Sequence, residues 1–163
     1  MLFSNSKHIA LQNIHHTIPA HQDWASMQGS INSVVIWIPL IDIDQDLGAL
    51  QYVPGSHKEG LLSKNLVNSF GFVDKYTDED FISQDFKIGG IFVFSSFLVH
   101  RSGNNITDNI RWSCHFRYND LQDVNFKNRG FPHAYIYKPI DHYLDTNLNT
   151  KQLLYNYYDQ NIQ

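Results

Sequence analysis

One arrangement recurs along the chain: a short run of Val, Ile, Leu, Phe and Tyr, closed by Gly, Asn, Asp or Pro. The runs SINSVVIWIPL, GALQYVP, GGIFVFSS, FLVHRS and RWSCHFRY are rich in β-branched and aromatic residues and bounded by turn formers, so each predicts a strand. Turns are expected at DIDQDLG (42–48) and PGSHKEG (54–60), because Asp and Gly tolerate unusual backbone angles and Pro fixes φ. The sum is an all-β, antiparallel sandwich or barrel. The longest apolar stretch, VVIWIPL, is far too short to span a bilayer and suits a buried strand. Residues 61–85 are polar and irregular, with one helical turn expected at TDEDF, and read as a lid. A C-terminal helix is predicted over about 147–159, where Leu148, Leu153, Leu154, Tyr157 and Tyr158 fall roughly on one face.

Composition narrows the picture. With 163 residues, 42% of them hydrophobic, the chain has material for one core, and a single domain over 1–163 with its body at about 14–118 is expected. Twelve scattered Lys and Arg under a net charge of −4 steer nothing toward nucleic acid or an anionic membrane. Cys114 has no second cysteine to pair with and reads as a small buried hydrophobe. The N-terminal stretch lacks the continuous apolar region of a secretion signal, so a cytoplasmic location is expected.

Nine histidines decide nothing by number, so the useful question is which of them have a carboxylate partner. About one H-x-D/E pair is expected by chance in this composition, and two occur, His21 with Asp23 and His57 with Glu59. On an extended chain the residues of each pair leave by the same face. The second lies in an evident Pro-Gly turn and is the weaker candidate. His100 closes an apolar run, with Ser102 two residues on, and Arg111 opens the next strand beyond the turn GNNITDN. A hairpin is expected to bring Arg111 back beside His100. Two imidazoles and a carboxylate suit ferrous iron while leaving half of an octahedron open. A guanidinium beside a hydroxyl is a fork for a carboxylate ligand. Without His100 eleven residues earlier, Arg111 would read as an ordinary surface ion-pair partner.

The stretches HQDW (21–24), GALQYVPGSHKEG (48–60) and GGIFVFSSFLVHRSGNNITDNIRWSCHF (89–116) together resemble the phytanoyl-CoA dioxygenase family of Fe(II)- and 2-oxoglutarate-dependent oxygenases. The resemblance implies a double-stranded β-helix, the cupin-like jelly roll. It implies that His21, Asp23 and His100 hold iron, and that Ser102 and Arg111 bind the far carboxylate of 2-oxoglutarate. Trp37 falls where the family has a tryptophan beside the cosubstrate, though a plain core aromatic fits it equally. The implied reaction hydroxylates a C–H bond of a small-molecule substrate with O2, releasing succinate and CO2. Halogenating relatives replace the carboxylate ligand with a small residue, so Asp23 points to hydroxylation.

Two departures bear on this reading. Family domains begin well before the H-x-D motif, so an N-terminally truncated form is expected. The chain also has Gly89 and Gly90 where Gly-Asp is common, which predicts a looser turn. The rival readings are a cupin-like non-redox metalloenzyme with the same ligands and a non-catalytic fragment or binding module. Along RWSCHFRY, alternation predicts that Arg111, Ser113, His115 and Arg117 point inward and Trp112, Cys114 and Phe116 outward.

Overall fold

A computed structural model describes residues 2–6, 17–62 and 72–131. Seven strands and two short helices follow one another as β1 (Leu2–Asn5), α1 (Asp23–Met27), β2 (Val34–Pro39), β3 (Gln51–Tyr52), β4 (Ile82–Ser83), β5 (Phe92–Ser95), β6 (His100–Arg101), β7 (Arg111–Tyr118) and α2 (Val124–Asn128). They form two antiparallel sheets, one in the order β1-β7-β2-β5 and one in the order β4-β3-β6. The predicted helix at 147–159 lies outside the described residues.

Each expected run supplies a strand, although GALQYVP and FLVHRS contribute only two residues apiece. β2 shows why the four-stranded sheet forms. Val35, Trp37 and Pro39 face inward and are fully buried, while Val34, Ile36 and Ile38 between them are half-buried on the other side. Pro39 ends the strand past Trp37↔Phe92, the last pair with β5, so its missing N–H breaks no ladder there. The core lies between the sheets, where Val35, Trp37, Ile43, Leu47, Leu50, Phe86, Phe94 and Leu98 pack together. The outward face is apolar too. Val93, Phe116 and Tyr118 are exposed there, and Cys114, expected to be buried, is half-buried among them.

The expected hairpin between His100 and Arg111 does not form. β6 pairs with β3 in the smaller sheet and β7 pairs with β1 and β2 in the larger, so the turn between them crosses from one layer to the other. Asn105 holds this crossing, its side-chain amide donating to the carbonyls of Asn5 and Asn109. His100 and Arg111 therefore belong to opposite walls of the barrel. The turn before β5 is also firmer than expected. The carboxylate absent after Gly89 is supplied by Asp42, which accepts from the Ile88 N–H and from Lys87, both at 2.9 Å.

Residues 61–85 are less free than a lid, where described. Phe72 bridges to His21, Val73 donates to the Ala20 carbonyl, Lys75 and Tyr76 bind Glu59, and Asp78 receives Arg101. The TDEDF turn is present as a 3-10 turn at Asp78–Asp80, closed by a capping box from Thr77. No helix among the described residues is long and apolar enough to cross a membrane.

The crossing leaves no room at Gly103, where a Cβ would lie 2.3 Å from the Ala49 carbonyl oxygen and 2.8 Å from the Gly48 carbonyl carbon. Both are backbone atoms that cannot swing aside. Gly103→Ala is expected to lower unfolding free energy by about 1–3 kcal/mol, the usual range for overpacking. Urea denaturation measures it, and an unchanged midpoint would show the approach to be looser than this.

Candidate metal centre

The centre begins with the backbone. The His21 N–H donates to the His100 carbonyl at 2.9 Å and the His100 N–H donates back to the His21 carbonyl at 3.1 Å. This reciprocal pair sets the two imidazoles side by side, their ring centroids 4.3 Å apart. Each ring is also held from behind. His21 Nδ1 lies 2.8 Å from the Pro19 carbonyl and His100 Nδ1 lies 2.9 Å from the Leu98 carbonyl. A carbonyl only accepts, so Nδ1 of each ring carries a proton and Nε2 is the atom turned toward a metal, the usual orientation of a metal-ligating histidine.

Asp23 arrives by a different route from the one expected. The chain is extended at Gln22, which keeps His21 and Asp23 on one side, but Asp23 itself opens α1. Gln22 anchors the bend, its buried amide donating to the Gly60 and Phe97 carbonyls and accepting from the Leu62 N–H. Asp23 Oδ1 lies 3.6 Å from His21 Nε2. His21, Asp23 and His100 are all buried, and each offers a ligand atom within 4.8 Å of the other two. His57 sits instead on the 3-10 turn Ser56–Glu59, whose Glu59 is engaged by Lys75 and Tyr76.

The ligand carboxylate is prepared for a cation. Burial alone would raise the Asp23 pKa, but the His21 hydrogen bond and the charges of His100 and Arg117 overrule it and hold the carboxyl well below its ordinary value. Burial, with His21 beside it, pushes His100 down to about 4. Burial also pushes His115 down to about 3, helped by the charge of Arg117. The pocket thus offers an ionised carboxylate and, in His100, a neutral imidazole, the forms a metal ion requires.

The remaining expected residues divide. Arg111 is not on the surface: it is 1% exposed, and burial lowers its guanidinium pKa to about 10, so it stays charged. It donates to the Gly48 carbonyl and lies against Phe3, yet its Nε has no acceptor and no carboxylate pairs with it among the described residues. Trp37 is 0% exposed and packs in the core, but its indole N–H is also without an acceptor. β7 presents Arg111 and Ser113 buried and Trp112 and Phe116 exposed, as alternation predicts, with His115 opposite Trp37 in register. Ser102 is the last of the expected residues. It is half-buried in an open cleft of about 360 Å³ with Thr17, Ile18, Pro19, Gln51, Arg101 and Asn104, and no hydrogen bond joins it to Arg111.

Sequence reasoning missed two contributions. Arg117 reaches Asp23 Oδ2 with Nε at 3.0 Å and Nη2 at 2.9 Å. Its inward phase on β7 was readable, whereas its partner, 94 residues away, was not. The second is the stretch after Tyr118. Asp123 caps α2 and also accepts from the Ile31 N–H, Asn119 accepts from the Ser30 N–H, and Arg129 donates to the Gln28 and Gly29 carbonyls. This stretch clamps the loop that follows α1, the helix on which Asp23 sits.

The protein is a double-stranded β-helix, the cupin-like jelly roll, with a histidine-aspartate-histidine cluster arranged as a metal site. The chain belongs to the phytanoyl-CoA dioxygenase family, whose sequence profile, Phytanoyl-CoA dioxygenase (PhyH), matches residues 4–113. It is similar to phytanoyl-CoA dioxygenase domain-containing protein 1 of Danio rerio, 31% identical over 82 residues that make up 45% of this chain and 28% of that protein. The aligned part is therefore less than a third of the relative's length. Among solved structures, the epimerase SnoN in complex with Fe3+, alpha ketoglutarate and nogalamycin RO superposes with a TM-score of 0.60 at 17% identity, covering 73% of this chain and 47% of that one. EvdO2 from Micromonospora carbonacea, complexed with 2-oxoglutarate, gives 0.51 at 21% identity over 66% and 49% of the two chains.

The buried histidines make the metal-free protein acid-sensitive. A histidine whose folded pKa lies below the unfolded value of about 6.5 takes up its proton on unfolding, so stability falls as pH drops from about 6.5 toward the folded pKa. The window set by His100 and His115 runs from about pH 6.5 toward 4 and 3, mostly above the range where Asp23 protonates. Urea midpoints are expected to decline between pH 7 and pH 4.5, and His115→Gln to flatten the decline. A flat profile in the parent protein would mean these imidazoles are not buried neutral.

Proposed function

We propose that this protein is an Fe(II)- and 2-oxoglutarate-dependent dioxygenase that hydroxylates a C–H bond of a small-molecule substrate, with succinate and CO2 as co-products. The observation that carries the reading is a pairing: three buried metal-ligand atoms on one side and, on the opposite sheet, a buried guanidinium with no anion among the described residues. An isolated buried charge costs several kcal/mol, so Arg111 calls for an anionic ligand, and the metal triad alone does not supply one. Family membership and the 2-oxoglutarate-bound neighbour of the same fold support that choice of ligand.

On this reading His21 Nε2, His100 Nε2 and Asp23 Oδ1 would hold a divalent iron, a ligand set suited to that ion. Iron and 2-oxoglutarate bound there would supply the oxidising chemistry, while the chain positions them and excludes water. Arg111 receives the far carboxylate of the cosubstrate, and the indole N–H of Trp37 is a further donor in the same core. Ser102, whose hydroxyl has no hydrogen bond among the described residues, is the second contact for that carboxylate. Asp23 fills the position a halide would need, which favours hydroxylation over halogenation.

Titration of the protein with Fe(II) and 2-oxoglutarate under anaerobic conditions is expected to produce a visible charge-transfer band that needs both components. Normal metal binding without the band would count against the cosubstrate and favour a non-redox metalloenzyme. His100→Ala and Asp23→Ala are expected to abolish metal binding, whereas His57→Ala leaves it intact. Equal losses at all three positions would overturn the assignment of the triad. Arg111→Ala is expected to weaken 2-oxoglutarate by about 10- to 100-fold, the worth of a charge-assisted fork, with little change in iron affinity.

A further inference from the structure

Asp23 has two carboxylate oxygens, and the structure treats them differently. Oδ1 faces His21 Nε2 at 3.6 Å, on the side where His100 also presents its ring. Oδ2 is taken from the opposite side by Arg117, through both Nε at 3.0 Å and Nη2 at 2.9 Å. Both donors converge on a single oxygen. A guanidinium is planar and its N–H vectors are fixed, so this contact sets the rotation of the carboxylate about its last bond as well as its position.

Little else settles that rotation. Asp23 opens α1, a helix of five residues, and no other side chain among the described residues is hydrogen-bonded to its Oδ2. Without Arg117 the carboxylate could turn and offer both oxygens to an ion. β7 carries two inward guanidiniums in different circumstances: Arg111 has no anion among the described residues, while Arg117 is committed to Asp23.

We propose that Arg117 is a positioning residue that confines Asp23 to one metal-facing oxygen, Oδ1, and so keeps open a coordination position that a two-oxygen carboxylate would fill. The inference rests on the triad being a metal site and on no particular reaction. It also separates two roles for the arginine. If Arg117 only neutralised Asp23, a lysine would serve as well. If its planar two-point grip sets the rotation, lysine fails, because an ammonium is a point donor on a flexible stem.

Co(II) is a suitable probe, since its visible absorption reports coordination number and geometry without dioxygen chemistry. Parent protein, Arg117→Lys and Arg117→Gln are titrated with Co(II), with thermal unfolding as a check on folding. Both variants are expected to show a changed Co(II) band shape and intensity and a Co(II) affinity about tenfold or more weaker, in the range that outer-shell partners of metal ligands command. Wild-type spectrum and affinity in Arg117→Lys would overturn the proposal, whether or not Arg117→Gln is altered, because charge alone would then suffice. If Arg117→Gln does not fold, Arg117→Lys still decides. A parent protein that binds no Co(II) would remove the metal site itself, a failure distinct from a parent that binds Co(II) identically to the variants.

Discussion

The reciprocal backbone hydrogen bonds between His21 and His100 are the constraint on which the site depends. They join a segment near the start of the chain to β6, some eighty residues later, and closing such a loop costs entropy that local structure cannot repay. What offsets that cost is the packing between the sheets. Val35 and Trp37 on one wall and Leu98 on the other are buried together, and Val99, wholly buried beside His100, is fixed by its own N–H to Ser56 Oγ. The core thus holds β6 in place, and β6 holds His21. Once those two backbones are paired, the side-by-side rings follow from strand geometry, because directly opposed residues in an antiparallel pair project to the same face.

Much of this was legible in the residues. The strand runs, the turns at 42–48 and 54–60 and the H-x-D pair at His21 and Asp23 follow from side-chain character and local spacing, and the structure contains them. Alternation along RWSCHFRY also held, since a period of two survives wherever one face is buried. The failures share a cause. The His100 to Arg111 connection was read as a hairpin because two strands joined by a short polar turn usually pair with each other. In a jelly roll, successive strands can change sheets, and no local signal in GNNITDN announces that. The apolar run VVIWIPL hid its phase for a related reason: both faces of β2 carry apolar residues, so alternation was invisible until register assigned Val35 and Trp37 to the inside. Arg117 and the clamp after Tyr118 were missed because their partners lie about 90 to 100 residues away in sequence.

That clamp changes how the Asp23 side of the site is understood. A five-residue helix has little stability of its own, since nucleation is costly and few intrahelical bonds follow. α1 persists because its neighbours hold it. Trp24 is stacked on Phe97, its backbone N–H donates to the Ser96 carbonyl, and its ring lies beneath the Arg129 guanidinium. Residues 119–129 then fix the chain that leaves α1 at Gln28 to Ile31. A ligand carried on so short an element is as rigid as these contacts make it, which is why residues with no place in the metal chemistry matter to it.

The balance of charge carries the argument one step further. Among the described residues the barrel interior sets one carboxylate, Asp23, against two guanidiniums, Arg117 and Arg111, an excess of positive charge before any imidazole is counted. A divalent cation entering alone adds to that excess in a region of low dielectric. A dicarboxylate cosubstrate reverses the situation, since it brings two negative charges to a site where Arg111 lacks an anion and the metal lacks ligands. On the proposed reading, ion and cosubstrate therefore relieve each other's cost, and each binds more tightly when the other is present. Linkage makes that coupling reciprocal, and it originates in one structural fact: of the two arginines β7 turns inward, Arg117 has a carboxylate and Arg111 has none among the described residues.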